Sequence, residues 1–185
     1  MMRLAYPFRR GGVMRFDGTA HIGRGSKILV ATNALMEIGD NFAISASSTI
    51  VSYKKIVFGR DIQFSWDCLV MDSDTHNIYN EEGQISNPPS AIKFGNKVWI
   101  CNGCMIMILK GTEIPSNCVI GAHSVVSGHK FKSNSIIVGS PAKIVKKIKL
   151  KAGIYKNIYM KPAILFILHL PPPVHGAAMM GKYIH

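Results

Sequence analysis

The residues with the most chemical potential in this chain gather at His76, which closes the polar run Asp72-Ser-Asp-Thr-His. Imidazole titrates near neutral pH, so it can take a proton from a hydroxyl that must become a nucleophile. Asp72 and Asp74 stand four and two residues before it. If the segment is extended, Asp74 shares a face with His76 and can orient the ring and raise its basicity. Turn formation is the competing role for both aspartates, and a plain surface loop is the competing setting for His76. Cys101-x-x-Cys104 and the pair His123 and His129, six apart, raise a second kind of chemistry, redox or metal binding. Zinc wants four converging ligands, which neither pair supplies alone.

What must position these side chains is a repeat of six residues. Ile22-Gly-Arg-Gly-Ser-Lys is followed by Ile28-Leu-Val-Ala-Thr-Asn, and the rhythm returns at Ile38, Ile44 and Ile50. It recurs at Phe58, Phe64 and Val70, at Phe94 and Ile100, and finally at Ile108, Ile114, Ile120 and Val126. The template is a bulky residue first, often Gly second, and a small residue fifth. A helix would place apolar residues at i, i+3, i+4 and i+7, and a long strand would alternate strictly. Six residues with Gly or Asn near the middle instead make one short strand and one tight turn, because those residues tolerate the positive φ of a sharp corner. Stacked coils then pair their strands in parallel, which is a β-helix. Cys68, Cys104 and Cys118 occupy fifth places, where cysteine serves as a compact hydrophobe. His123 and His129 fall on successive sextets, hence on adjacent faces rather than one above the other.

Composition agrees with one packed domain. The chain has 185 residues, 48% of them apolar, and only 17% charged, which excludes wholesale disorder. Its net charge is +12, and no acidic residue follows Glu113 while ten lysines do. Such a field attracts phosphates, nucleic acid or anionic lipid without choosing among them. The N-terminal segment lacks the apolar core of a signal peptide. The longest apolar stretches, Ala163 to Leu168 among them, are too short to span a bilayer. The four cysteines form no disulfide grid, so a reducing cytoplasm is the simplest compartment.

The rhythm breaks in four places. Between Val70 and Phe94 runs a polar, proline-bearing segment, and long irregular segments in compact folds tend to be functional or disordered. Four extra residues between Ile28 and Ile38 read as a wide corner. Two extra residues between Ile100 and Ile108 put local register in doubt. After Lys149 the pattern stops, and residues 160–185 change character to an apolar strand, a triple proline and a Gly/Ala/Met segment.

In order, these sextets and the blocks FSWDCLVMDSDTH (64–76), KVWI (97–100), ILKGTEIPSNCVIGAHSVVSG (108–128) and VGSPAKIVKKI (138–148) resemble the hexapeptide-repeat acyltransferases. The pattern is similar to that of capsule and lipopolysaccharide O-acetyltransferases and of galactoside and maltose O-acetyltransferases. The resemblance implies an all-β fold, a left-handed parallel β-helix over residues 13–148. A short extension, 1–12, precedes it; a loop, 77–92, projects from it; an irregular or partly helical tail, 149–185, follows. That tail resembles the start of a glycosyltransferase with two doubly wound halves, as in a truncated or fused reading frame; an ordinary extension docked on the β-helix is the alternative.

The implied activity is transfer of an acetyl group from acetyl-CoA to a hydroxyl of a sugar or saccharide-linked acceptor, with no metal. His76 matches the family's catalytic histidine, with Asp74 beside it. Asp67 and Asn87 fall where family members contact the acceptor. Trp99 and Asn102 match the border of the acyl-CoA channel, although a core role competes for Trp99. Ala122 matches a residue whose backbone meets the pantetheine arm. Ser140 and Lys143 fall at the nucleotide end, where Lys143, Lys146 and Lys147 can neutralise phosphates or form a solvated basic tail. The family assembles as homotrimers with sites between subunits, and implies no nucleic-acid partner; a lipid-linked saccharide at a membrane surface is compatible. Two alternatives stand beside this reading: a metal-dependent enzyme resembling γ-class carbonic anhydrase, and a non-catalytic scaffold whose stretched segment has lost the CoA channel.

Overall fold

The computed structural model describes residues 11–102, 107–108, 111–127 and 131–149. Most of the N-terminal extension, Cys104, His129 and the tail from residue 150 lie outside the described residues. Among the described residues all regular elements are strands, and none is a helix long and apolar enough to cross a membrane.

The strands sort into three sheets by threes. The first sheet stacks β1 (Val13–Asp17), β4 (Leu35–Gly39), β7 (Lys55–Phe58), β10 (Ile92–Phe94) and β13 (Glu113–Ile114). The second holds β2 (Ala20–Ile22), β5 (Phe42–Ala46), β8 (Ile62–Trp66), β11 (Val98–Ile100), β14 (Cys118–Ile120), β16 (Ser135–Gly139) and β17 (Ala142–Lys147). The third holds β3 (Lys27–Val30), β6 (Thr49–Ser52), β9 (Leu69–Met71), β12 (Met107–Ile108) and β15 (Val125–Val126). Pairing is parallel throughout, except for the antiparallel hairpin of β16 and β17 that ends the second sheet. Each coil is therefore three short strands around a three-sided prism, and its only shelter is the coil on either side.

Register follows the sextet leaders. Ile38, Phe58, Phe94 and Ile114 stack in one column. Ile44, Phe64, Ile100, Ile120 and Ile137 form the second. Ile50, Val70, Ile108 and Val126 continue the third. Branched and aromatic side chains suit this because they pack well on a pleated, buried surface. The expectation of a small fifth residue needs correction. At the corner between second and third sheets the fifth residues are Ser48, Cys68 and Ser124, all buried. At the corner between first and second sheets they are Phe42, Ile62 and Val98, buried and large, followed by the small, buried Cys118. Bulk is thus concentrated at one corner, where Phe42 meets Phe58 at 5.0 Å between ring centroids and Phe58 stacks on Phe94 at 4.8 Å.

Corners carry the left-handed residues. Asn41, Asp61, Lys97 and Asn117, all with φ between 56° and 60°, mark successive turns from first to second sheet, and Asn134, with φ 57°, precedes β16 of the second. There Asp40 accepts from the Thr19 N–H at 2.8 Å, from its hydroxyl at 3.0 Å and from the Asn41 N–H at 2.8 Å. The Thr19 amide first, then its hydroxyl and the Asn41 amide, hold this carboxyl below its ordinary value of 3.8. A depressed folded-state pKa stabilises the fold above the unfolded pKa, and that contribution is lost as pH falls through the folded value. Asp40→Asn is therefore expected to flatten the acid limb of stability below about pH 4, read from denaturant midpoints across pH.

Insertions also sit at corners. The four extra residues after Ile28 widen the turn from third to first sheet, where Ala34 is buried and its N–H donates to the Ala31 carbonyl at 3.0 Å. A fifth break, the two-residue excess between the leaders Ile50 and Phe58, lies at the same corner one coil on. In the next coil that corner carries the long loop. The two extra residues after Ile100 move to the corner between second and third sheets. Met107 and Ile108 then pair with Leu69 and Val70, so register survives the stretch.

Candidate active site

The loop is rooted on Asp72, which is completely buried. Its Oδ2 accepts from the Ser52 hydroxyl at 2.9 Å and from the N–H groups of Lys54 at 2.9 Å and Lys55 at 2.8 Å; its Oδ1 accepts from the Tyr53 N–H at 2.6 Å. One carboxylate thereby satisfies the bulged corner of the coil before it. This gives Asp72 a structural role, and buried carboxylates persist only when so bonded. The Ser90 N–H donates to the Asp72 carbonyl at 3.0 Å, and the Gly111 N–H donates to the Ser90 carbonyl at 3.2 Å. The chain thus leaves the prism after Asp72 and rejoins it at Ser90, an excursion that starts and ends a few residues before the expected 77–92.

The excursion is ordered. Tyr79 and Ile85 form an antiparallel bridge, and Asn80 closes the hairpin by accepting the Gln84 N–H at 2.7 Å on its side chain. Ile78, Tyr79 and Ile85 are exposed on it. At its base, Asn87 Oδ1 accepts from the Ile78 N–H at 2.6 Å, while Nδ2 donates to the Asp74 carboxylate at 2.9 Å and the His76 carbonyl at 2.8 Å. His76 and Asp74 are exposed. The extended geometry expected to align them is absent, because Thr75 between them has φ 65° and turns the chain. Period-two alternation does not operate across a left-handed residue.

The remaining sequence-picked residues lie elsewhere. Asp67, Asn102 and Ala122 are exposed at the corner between second and third sheets, one on each of three successive coils. Trp99 lies on the second sheet, between inward-facing Val98 and Ile100, with its Nε1–H donating to the Ser65 hydroxyl at 3.3 Å. It is half-buried on the outside of the prism, so the core alternative does not hold. Ser140 and Lys143 are exposed in the terminal hairpin of that sheet. The donor-binding candidates therefore follow the second sheet and its edge with the third. His76, Asp74 and Asn87 occupy the opposite edge of the third sheet. Sequence reasoning missed Trp66, 49% exposed beside Asp67, although its place just before a corner aspartate was a usable signal.

The thiols are quiet. Burial pushes Cys68 up to about 11 against the opposing hydrogen bond from Ser48, and burial also raises Cys101 and Cys118. A thiol so raised stays protonated and unreactive near neutrality. Among the described residues no group of three or more His, Cys, Asp or Glu could hold a metal ion; His123 is exposed at a corner with φ 56°.

No protein-family model matches the chain. It is 27% identical over 167 residues to WbbJ of Escherichia coli strain K12, provisionally named a lipopolysaccharide biosynthesis O-acetyl transferase, covering 85% of this chain and 83% of that protein. It is 32% identical over 136 residues to Rv3034c of Mycobacterium tuberculosis, provisionally named an acetyltransferase, covering 70% of this chain but 43% of that protein. The crystal structure of a maltose O-acetyltransferase from Clostridium difficile superposes with a TM-score of 0.58 at 23% identity, over 73% of this chain and 71% of that one. A galactoside acetyltransferase in complex with coenzyme A gives 0.55 at 22% identity, over 70% and 65%. The three-sheet prism and these likenesses show one fold, the left-handed parallel β-helix, and the sequence is similar to proteins named as acetyltransferases.

Proposed function

We propose that the protein is an acetyl-CoA-dependent O-acetyltransferase acting on a sugar or saccharide-linked hydroxyl, with His76 as general base. His76 takes the hydroxyl proton as the acceptor oxygen bonds to the acetyl carbon, backbone N–H groups receive the developing oxyanion, and the imidazolium returns the proton to the departing thiolate of CoA. Atoms balance, and no covalent enzyme intermediate is needed. Trp99, Asn102 and the small side chain of Ala122 would line the donor's arm, with Ser140 and Lys143 at its nucleotide end. Asp67 would meet the acceptor. Asn87 would act on that side through the residues it holds, because its amide is engaged within the loop.

The observation that carries this reading is the separation of the two half-sites by one sheet. A lone protomer holds the base on one edge of the third sheet and the donor candidates toward the other. A second copy laid against that sheet would bring the halves together. The outer side of the third sheet suits such contact: Leu29, Val51 and Met71 are adjacent in register, and Leu69 and Val125 stand outward with them. The first sheet, by contrast, faces outward with Arg15, Glu37 and Lys55, joined by ion pairs of 3.6 and 2.9 Å. Contiguous outward apolar side chains mark interaction sites. A closed ring of three uses one edge of each copy against the other edge of its neighbour.

Mixing supplies the test. His76→Ala chains and Ala122→Trp chains are each expected to be inactive, and mixed trimers to recover part of the parental rate, with mass by light scattering confirming three copies. Absence of recovery in verified mixed trimers would place both halves within one protomer. A cytoplasmic setting fits the protonated thiols and the family's use of intracellular acetyl-CoA. The scaffold alternative loses its main motive, since register is kept through the stretched coil. The metal alternative rests on His123 and His129, of which His129 lies outside the described residues.

A further inference from the structure

We infer that Asn87 and Thr75 are positioning residues: an amide clamp and a left-handed turn together fix the main chain of His76 and so aim its imidazole. This rests on His76 being the base, and adds what holds it there. The clamp brackets the histidine, because Asn87 bonds at residues 74, 76 and 78 with distances of 2.9, 2.8 and 2.6 Å. Only a primary amide offers one acceptor and two donors at that reach; aspartate would keep the acceptor and lose both donors. Inside the bracket, Thr75 is the sole β-branched residue among the described non-glycine positions with positive φ. Its hydroxyl donates to the Asp74 carbonyl at 2.6 Å and its N–H to the Ser73 hydroxyl at 3.1 Å. A β-branched residue avoids this conformation unless its surroundings over-determine it. Released from the clamp, Thr75 would relax toward extended backbone and carry the exposed His76 ring with it. Such strained turns concentrate where a side chain must be aimed.

The test compares Asn87→Ala, Asn87→Asp and Thr75→Gly with the parent in the assembled protein. Release of CoA thiol is followed with acetyl-CoA and the best acceptor among galactose, glucose and N-acetylglucosamine. The His76 ring is followed in parallel by NMR, assigned through His76→Ala. Misaiming by about 1 Å costs on the order of 100-fold, so kcat is expected to fall about 10- to 100-fold in each variant. The KM for acetyl-CoA should stay within about twofold, and the His76 resonance should broaden or double. Thr75→Gly should lose rate without losing thermal stability, because glycine adopts the left-handed turn freely. A merely structural threonine would not split rate from stability in this way. Parental kcat with an unchanged His76 resonance in Thr75→Gly and Asn87→Asp overturns the inference, as does a raised acceptor KM at parental kcat, which would make Asn87 a substrate contact. If His76→Ala itself keeps the parental rate, the assignment of the base fails instead, and the NMR comparison still decides whether the clamp orders the ring.

Discussion

His76→Ala is expected to lower kcat for acetyl transfer by roughly 100- to 10,000-fold while leaving the affinity for acetyl-CoA within about twofold. The size follows from the role. A neutral hydroxyl attacks a thioester slowly, and a positioned base supplies about that factor by accepting the proton as the bond forms. The selectivity follows from placement, since His76 projects from the loop at one edge of the third sheet while the donor candidates follow the second sheet. Truncating an exposed side chain there removes no core contact, so the thermal midpoint and the mass in solution should match the parent. Calorimetric titration with acetyl-CoA and initial rates of thiol release check the two halves separately. Undiminished turnover would remove His76 from the mechanism.

Asp72→Ala is expected to destabilise the fold by about 2–4 kcal/mol, because buried donors that lose their acceptor each cost on the order of 1–3 kcal/mol. It would remove the acceptor of three main-chain N–H groups and the Ser52 hydroxyl at this corner. Asp72→Asn should recover only part of this, because its NH2 group would point at donors. Denaturant midpoints report the total, and hydrogen exchange at residues 53–55 reports the corner itself. Protection at those amides equal to the parent's would show that the carboxylate is not what holds them. Activity should fall along with stability, because the same residue roots the excursion that carries His76.

The sextet leaders were legible because each is a large side chain forced inward by the coil above and below it, and Ile44, Phe64 and Ile100 stack as the spacing demands. The rule of a small fifth residue failed at Phe42, Ile62 and Val98 because a single period cannot tell one corner of a prism from another. Counting leaders by threes would have separated the corners, and would have placed Asp67, Asn102 and Ala122 along one edge. Asp72 and Asn87 were harder. Asp72 bonds to residues 17 to 20 positions earlier, one coil back, and nothing local marks a turn-type aspartate as a buried acceptor. Asn87 reads like any asparagine before a proline until Thr75 is seen to turn left-handed. Alternation wrongly aligned Asp74 with His76 for the same reason.

Because the amide of Ser90 returns to the carbonyl of Asp72, the excursion is a closed detour whose length is invisible to the ladder beneath it. Chain can be added to or cut from its far end without shifting a single rung. Evolution can therefore lengthen or rebuild the loop that carries His76 while the prism stays as it is, and an engineer can graft a foreign loop between the same two anchors.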